Sequence, residues 1–102
     1  MGIKQGMATT EIKSVSVSFA AHLQRHVRCD VQMVLAGSLA FVLEQAFNGA
    51  RDMKHFVLDD QGAIRKHVAV FVNGHLHRAR DNLSTHLKPG DNVHVIQALS
   101  GG

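Results

Sequence analysis

The chain ends in two glycines, Gly101 and Gly102, directly after a strand-like stretch, Val93-His94-Val95-Ile96. Glycine makes up about 7% of residues in average proteins, so such a pair at a chain end arises by chance in only about half a per cent of cases. The last glycine offers its own α-carboxylate, and the glycine before it lets the backbone enter a channel too narrow for a Cβ. The pattern therefore indicates a C-terminus that acts as a reactant.

A carboxylate resists nucleophilic attack because it is anionic and has no good leaving group, so it must first be converted to a more reactive derivative such as a mixed anhydride. Extended residues span about 3.3 Å each, which lets the stretch from Ala98 to Gly102 reach about 16 Å beyond a folded body. That distance is sufficient to enter the buried active site of another protein.

The other residues with chemical potential have simpler explanations. His75 and His77 would share one face of a strand, but zinc needs three or four ligands and no third is marked by spacing. Cys29 with a histidine could act as a nucleophile and its base. Because cysteine is among the most often buried residues, a packing role for Cys29 is favoured. Asp59 and Asp60 suit a solvated turn. We expect no metal and no catalytic residue; a small hydrolase using Cys29 is the enzyme-class alternative.

The composition restricts the class of protein. The chain has 102 residues, is 45% hydrophobic, and carries a net charge of +3 with no Trp or Tyr. This suits a single compact domain and argues against nucleic-acid binding, since there is no basic stripe interleaved with aromatic residues. No stretch approaches the ~20 apolar residues of a membrane span and no signal sequence is evident, so we expect a cytoplasmic protein with no membrane partner. A lone cysteine forms no internal disulfide.

Periodicity predicts a hairpin followed by a helix. Alternation from Lys13 to Phe19 predicts a strand, with one face formed by Val15, Val17 and Phe19. Alternation resumes at Val31, Met33 and Leu35, and we expect these to form the apolar face of the second strand. Ser38 then suits a helix N-cap, and a helical stripe follows at Leu39, Val42, Leu43, Ala46 and Phe47, ended by Asn48-Gly49.

The second half of the chain is rich in strands. We expect a short strand at Phe56-Val57-Leu58 and a turn at Asp59-Asp60-Gln61-Gly62. A strand from Val68 to Val72 leads into the hairpin turn Asn73-Gly74, and the turn Lys88-Pro89-Gly90-Asp91 leads into a last strand from Val93 to Leu99. The pattern predicts an α+β fold in which one main helix covers a mostly antiparallel sheet.

Two segments, "DDQGAIRKHVAVFVNG" and "LSTHLKPGDNVHVIQALSGG", resemble the second half of the small ubiquitin-like sulfur carriers, the family of the molybdopterin synthase small subunit MoaD and the thiamine sulfur carrier ThiS. The resemblance implies a β-grasp fold with a mixed sheet of four to five strands, the first and last strands side by side, and one helix packed across. We expect a flexible arm at residues 1–11, the β-grasp domain at 12–98 and a flexible diglycine tail at 99–102.

The resemblance also implies a role for the tail. An adenylyltransferase related to ubiquitin activators, which uses ATP and magnesium, would adenylate the carboxylate of Gly102, and sulfur from a persulfide donor would displace AMP. The resulting thiocarboxylate is a nucleophile at neutral pH, by the logic that makes thiolates reactive. A sulfur-accepting synthase would receive the tail, formed by Gly101, Ser100 and Leu99, and take the sulfur. The chain itself would bind no cofactor.

Partner docking is the remaining expectation, and we assign it to Phe71, Arg65 and Arg78; Arg80 and Lys88 are further basic candidates. The pattern G-x-x-R-x-x-V-x-V-F-V-N-G matches the longer branch of the family, whereas Gln97 and Leu99-Ser100 depart from it. The pathway therefore stays open between molybdopterin, cysteine, thiamine and other products. The alternative function is a ubiquitin-like modifier or a non-covalent interaction module.

Overall fold

The computed structural model describes residues 14–20, 31–48 and 51–97. Within these ranges the chain forms seven strands and two helices. The strands are β1 (Ser14–Phe19), β2 (Gln32–Leu35), β3 (Gly37–Ser38), β4 (Val68–Val72), β5 (His75–Leu76), β6 (His86–Leu87) and β7 (Asn92–Gln97); the helices are α1 (Leu39–Phe47) and α2 (Arg51–Val57). Neither helix is long and apolar enough to cross a membrane. The predicted arm at 1–11 and tail at 99–102 lie outside the described residues.

Five strands form a mixed sheet in the order β2-β1-β7-β4-β5, and β3 pairs with β6 in a small second sheet. The first and last strands, β1 and β7, lie side by side and run parallel, with Val17 opposite Val93. All other neighbours in the main sheet are antiparallel. This confirms the predicted β-grasp architecture, in which the last strand occupies the centre of the sheet.

Helix α1 covers one face of this sheet as predicted. The Ser38 hydroxyl accepts a hydrogen bond from the Phe41 N–H at 3.1 Å, which satisfies a donor in the first helical turn. All five residues of the predicted stripe are buried: Leu39, Val42, Leu43, Ala46 and Phe47. On the facing strand β1, Val15, Val17 and Phe19 are 4% exposed or less, so the alternation predicted for this strand is also confirmed.

The strand predicted at Phe56-Val57-Leu58 is wrong, because most of this segment belongs to helix α2. Met53 and Val57 are four residues apart, lie on one side of the helix and are fully buried. Lys54 of α2 forms an ion pair with Glu44 of α1, with 2.8 Å between Nζ and Oε2. A short apolar run in a sequence is compatible with either a helix or a strand. Here Met53 and Val57, one helical turn apart, are both buried, which favours the helix. Leu58 then forms an isolated bridge with Ile64.

The predicted apolar face of β2 is also wrong. Val31, Met33 and Leu35 are 60%, 64% and 57% exposed, whereas Val34 between them is buried. The register explains the inversion: Val34 lies opposite Val15, and Met33 lies opposite Ser16 on the other face. Neighbouring strands must present the same face at paired positions, so the inward valines of β1 decide the orientation of β2.

The three predicted turns are confirmed by their backbone geometry. Asn73 and Gly74 have φ angles of 52° and 83°, as a type I′ hairpin turn requires. In the second turn Gly90 has a φ of 93°, and the Asp91 N–H donates to the Lys88 carbonyl at 3.0 Å. In the third, the Asp59 carboxylate accepts from the N–H groups of Gln61 and Ala63.

Candidate functional site

The predicted reactive residues Gly102, Gly101, Ser100 and Leu99 lie outside the described residues, as does Cys29. The description of the C-terminal strand ends at Gln97, the last residue of β7. The structure therefore defines the surroundings from which the tail departs.

We call these surroundings the tail-exit site and define it by Ala20, Val68 and Gln97. Gln97 lies opposite Val68, the first residue of β4. On the other side of β7, the Ala20 N–H donates to the Val95 carbonyl at 2.8 Å, just past the end of β1. Because β7 is paired on both sides close to its end, the chain leaves from the middle of the sheet and not from an exposed edge.

Arg80 stabilises the tail-exit site through hydrogen bonds to the backbone at and before Val68. Its Nη1 group donates to the Val68 carbonyl at 2.9 Å and also hydrogen-bonds the carbonyls of Arg65 and Ile64. These bonds anchor the chain that enters β4, and β4 is the strand that holds Gln97. Hydrogen bonds from a charged donor are stronger than neutral ones, and a guanidinium can supply several at once. Arg80, considered from sequence as a basic docking residue, therefore has a structural role through these bonds.

The opposite end of β7 is fixed by a network of polar groups. The Asn73 Nδ2 group donates to the Asp91 carboxylate at 3.0 Å, and the Asn92 N–H donates to the Asn73 Oδ1 atom at 2.9 Å. The Lys88 N–H donates to the second oxygen of Asp91 at 2.7 Å. This bond, together with that from Asn73, lowers the pKa of Asp91 below its usual value. The network ties the β4–β5 turn to the start of the C-terminal strand.

The sheet face away from α1, called the outer face here, carries Phe71 on strand β4. Phe71 lies between His94 of β7 and Leu76 of β5 in the strand register. Ser18 of β1 follows on the far side of His94, with 2.7 Å between its hydroxyl oxygen and the His94 Nδ1 atom. Phe71 is partly exposed and Leu76 is 41% exposed. This surface is apolar toward β5 and polar toward β1.

The three docking residues predicted from sequence occupy different places. Phe71 is on the outer face, whereas the Arg65 Nε group donates to the His55 carbonyl of α2 at 2.7 Å, on the helix side of the sheet. Arg78 is exposed in the segment after β5. Lys66 and His67, which sequence reasoning did not select, are exposed directly before Val68. Their position beside the tail-exit site becomes evident only from the pairing of Val68 with Gln97.

The histidines of the described chain do not assemble a metal centre. The His77 Nε2 atom lies 3.0 Å from the Ala79 carbonyl oxygen and 2.9 Å from that of Asn82, which requires this nitrogen to be the donor. His75 is exposed on β5. Across residues 14–20, 31–48 and 51–97, no three His, Cys, Asp or Glu side chains are grouped so that they could hold a metal ion.

The fold and the position of its last strand define a class of protein: a small ubiquitin-like domain of the kind found in sulfur carriers and protein modifiers. The model of the ThiS family matches residues 36–102, about two-thirds of the chain, and the chain belongs to this family. The resemblance identified from sequence is therefore confirmed. No curated protein matched the sequence.

Solved structures show the same fold. Small archaeal modifier protein 1 from Methanosarcina acetivorans has a TM-score of 0.70 and 20% identity, covering 87% of this chain and 96% of its own. The BexX/CysO complex of Amycolatopsis orientalis contains a chain with a TM-score of 0.67 and 20% identity, covering 86% and 99%. A chain in the complex of subunits 1 and 2 of the molybdopterin-converting factor from Helicobacter pylori has a TM-score of 0.57 and 25% identity, covering 87% and 99%.

Proposed function

We propose that this protein is a sulfur carrier whose Gly102 carboxylate is adenylated and converted to a thiocarboxylate. The observation that carries the proposal is the match to the ThiS family, which extends through Gly101 and Gly102. An adenylyltransferase related to ubiquitin activators would supply AMP from ATP with magnesium. The carrier is then a co-substrate and contributes no catalytic group of its own.

The reaction proceeds in three steps. In the first, a Gly102 carboxylate oxygen attacks the α-phosphorus of ATP, forming the acyl adenylate and releasing pyrophosphate. In the second, a persulfide sulfur attacks the acyl carbon and AMP leaves with the bonding electron pair. In the third, a thiol attacks the donor's sulfur in the resulting acyl disulfide, which releases the thiocarboxylate and leaves a disulfide between that thiol and the donor. The sulfur-accepting synthase then uses this sulfur as a nucleophile.

The arrangement around Gln97 supports this role. Since β7 is held on both sides and braced through Val68 by Arg80, the body gives the tail a rigid origin. Preorganisation of this kind lowers the entropy lost when the tail enters a partner's active site. Lys66 and His67 beside the exit suit an acidic rim on that partner.

We assign the docking of the synthase or activator to the outer face around Phe71. An aromatic side chain that is partly exposed beside an apolar residue, here Leu76, is typical of an interface anchor. Two of the similar solved structures are protein complexes, BexX/CysO and the two subunits of the molybdopterin-converting factor. The pathway of the product is left open among molybdopterin, cysteine, thiamine and other sulfur compounds.

A modifier is the second candidate function, favoured by the similarity to small archaeal modifier protein 1. A modifier would use the same adenylated Gly102 but would transfer it to a lysine amine, forming an isopeptide bond. The chemical fate of the tail distinguishes the two functions.

The experiment combines the purified chain with ATP, magnesium, a ubiquitin-activator-like adenylyltransferase and a persulfide donor, followed by intact-mass spectrometry. A carrier gains the mass difference of one sulfur for one oxygen. A chain lacking Gly102 should gain nothing, and its melting temperature should match that of the unmodified chain because a terminal residue contributes little stability.

A chain extended by one alanine after Gly102 is the matched control, since it keeps both glycines but moves the carboxylate. It should also fail to react. Sulfur incorporation by either variant would contradict the proposal, and isopeptide-linked adducts without sulfur exchange would favour the modifier.

A further inference from the structure

Most of the exposed large apolar side chains of the described residues lie along one edge of the sheet. Val31, Met33 and Leu35, on or next to β2, are 60%, 64% and 57% exposed, and Phe41 at the start of α1 is 46% exposed. The fifth, Leu76, belongs to the opposite edge strand. Val31, Met33 and Leu35 alternate along the chain and so share one face at this edge, and contiguous exposed apolar surface marks an interaction site.

Among the strands that the structure describes, none pairs with β2 on the side away from β1. In the ladder between β1 and β2, Met33 lies opposite Ser16. The Ser16 N–H donates to the Asp91 carbonyl at 3.2 Å, so the backbone groups of Ser16 point toward β7 and away from Met33. Opposed residues that do not exchange hydrogen bonds direct their backbone groups outward. The N–H and C=O of Met33 therefore point out of the sheet at its edge.

Gln45 closes this edge at the next outward-pointing position. Its Oε1 atom accepts from the Leu35 N–H and its Nε2 group donates to the Leu35 carbonyl, both at 2.9 Å. The side-chain amide thus makes the two bonds that a neighbouring strand would make. Within β2 itself no charged residue or proline guards the edge, although these are the usual means of preventing strand addition. Toward the C-terminal end of β2, Met33 is therefore the last residue whose outward backbone groups are not bonded by Gln45.

We propose that β2 is a self-association site at which a second copy of this chain adds its own β2 in antiparallel orientation. A two-fold axis beside Gln32 places Met33 opposite the partner's Val31. The two residues of this pair exchange two backbone hydrogen bonds. The two-fold symmetry creates a second, identical pair between Val31 and the partner's Met33. This register leaves the Gln45 amide in place and brings the apolar side chains of positions 31 and 33 together on the outer face.

A second copy fits this edge better than an unrelated strand because the edge is complementary to itself. Pairing brings no like charges together, since β2 reads Gln-Met-Val-Leu. A contact of this length buries less than the ~1,200 Å² of stable interfaces, so the dimer forms at high concentration. Strand β1 separates β2 from β7, so association leaves the tail-exit site accessible and does not depend on the proposed function.

Sedimentation velocity of the full chain, from about 10 µM to about 1 mM, tests the proposal. The weight-average mass should rise from the monomer toward the dimer. Met33→Lys should abolish the rise by placing a charge on the edge. Met33→Pro should abolish it by removing the outward N–H, a change that edge strands tolerate because no bond within the sheet is lost. Leu76→Lys is the matched control on the opposite edge and should associate like the unmodified chain.

Thermal unfolding first establishes that each variant is folded. A monomer throughout the concentration range overturns the proposal. Association of the Met33→Pro variant would also overturn it, because the contact would then rest on side chains and not on strand pairing. Loss of association in the Leu76→Lys variant would place the contact elsewhere. As a second readout, hydrogen exchange at the Met33 amide should slow as concentration rises, whereas exchange at Leu76 should not change.

Discussion

The two faces of the sheet are made by the same strands but differ in their side chains. The inner face, under α1, presents valines that are 8% exposed or less at Val15, Val17, Val34, Val70, Val93 and Val95. The outer face presents Ser16, Met33, Phe71 and His94, all partly or largely exposed. Because successive side chains of a strand point to opposite faces, one set of positions can specify the fold while the other is free to bind partners.

Adjacent residues on β4 should separate these two roles most strongly. Val70→Ala removes two buried carbon atoms from the inner face and should lower the free energy of unfolding by about 2–3 kcal/mol. Phe71→Ala, one position later on the outer face, should cost about 1 kcal/mol or less while weakening docking to the proposed sulfur-accepting synthase. Urea unfolding and a binding titration measure the two effects.

The comparison fails if the two variants behave alike. A Phe71→Ala variant as unstable as Val70→Ala would show that the outer face also carries the fold. Unchanged binding by the Phe71→Ala variant would remove this residue from the docking surface.

The inner face could be predicted from sequence because its signals are strong and local. Serines alternate with apolar residues in β1, and the stripe of α1 repeats at helical spacing behind a Ser N-cap. The orientation of β2 could not be predicted, since its pattern Val31-Gln32-Met33-Val34-Leu35 has apolar residues on both faces and only pairing with β1 decides between them.

The candidate site was predicted from its motif and not from its geometry. Gly101-Gly102 marks the proposed reactive end in the sequence, but the hydrogen bonds of Arg80 depend on carbonyl groups that are 12 to 16 residues distant along the chain. No local pattern distinguishes such an arginine from a solvated one. The assignment of Met53 and Val57 to a helix likewise depends on burial that a short segment does not reveal.

Phe41 provides a test of whether exposure alone identifies a free side chain. Although it is 46% exposed, its ring lies against Gly37: a Cβ added at Gly37 would be 2.6 Å from the Phe41 Cδ2 atom. Gly37→Ala should therefore lower the free energy of unfolding by about 1 kcal/mol, because the exposed ring can move only at the loss of its packing. Urea unfolding of this variant measures the effect.

A double-mutant cycle with Phe41→Ala identifies the cause. If the clash with the ring is responsible, the double variant Gly37→Ala/Phe41→Ala should be more stable than the sum of the single changes predicts. Additive effects would mean that Gly37 is needed for its backbone conformation and that Phe41 is free after all.

The smallest expected effect concerns the polar network at the start of β7, where exposed groups again have a structural role. Hydrogen bonds from the Lys88 N–H and the Asn73 amide lower the pKa of Asp91 below its usual value of 3.8. A carboxylate with a lowered pKa stabilises the fold above its unfolded pKa, and this contribution is lost as the pH falls through the folded value. Asp91→Asn should therefore reduce stability at pH 7, and the difference from the unmodified chain should shrink below about pH 4.

Urea midpoints of both proteins at several pH values measure this difference, and the other carboxylates, including Asp59 with its own lowered pKa, cancel in the comparison. A difference that stayed constant from pH 7 to about pH 2 would mean that the shape of the side chain matters and its charge does not. In that case the network at the start of β7 would resemble the inner face, where the packing of side chains stabilises the fold. A difference that disappears in acid would instead set it apart from both faces as a part of the fold held by charge.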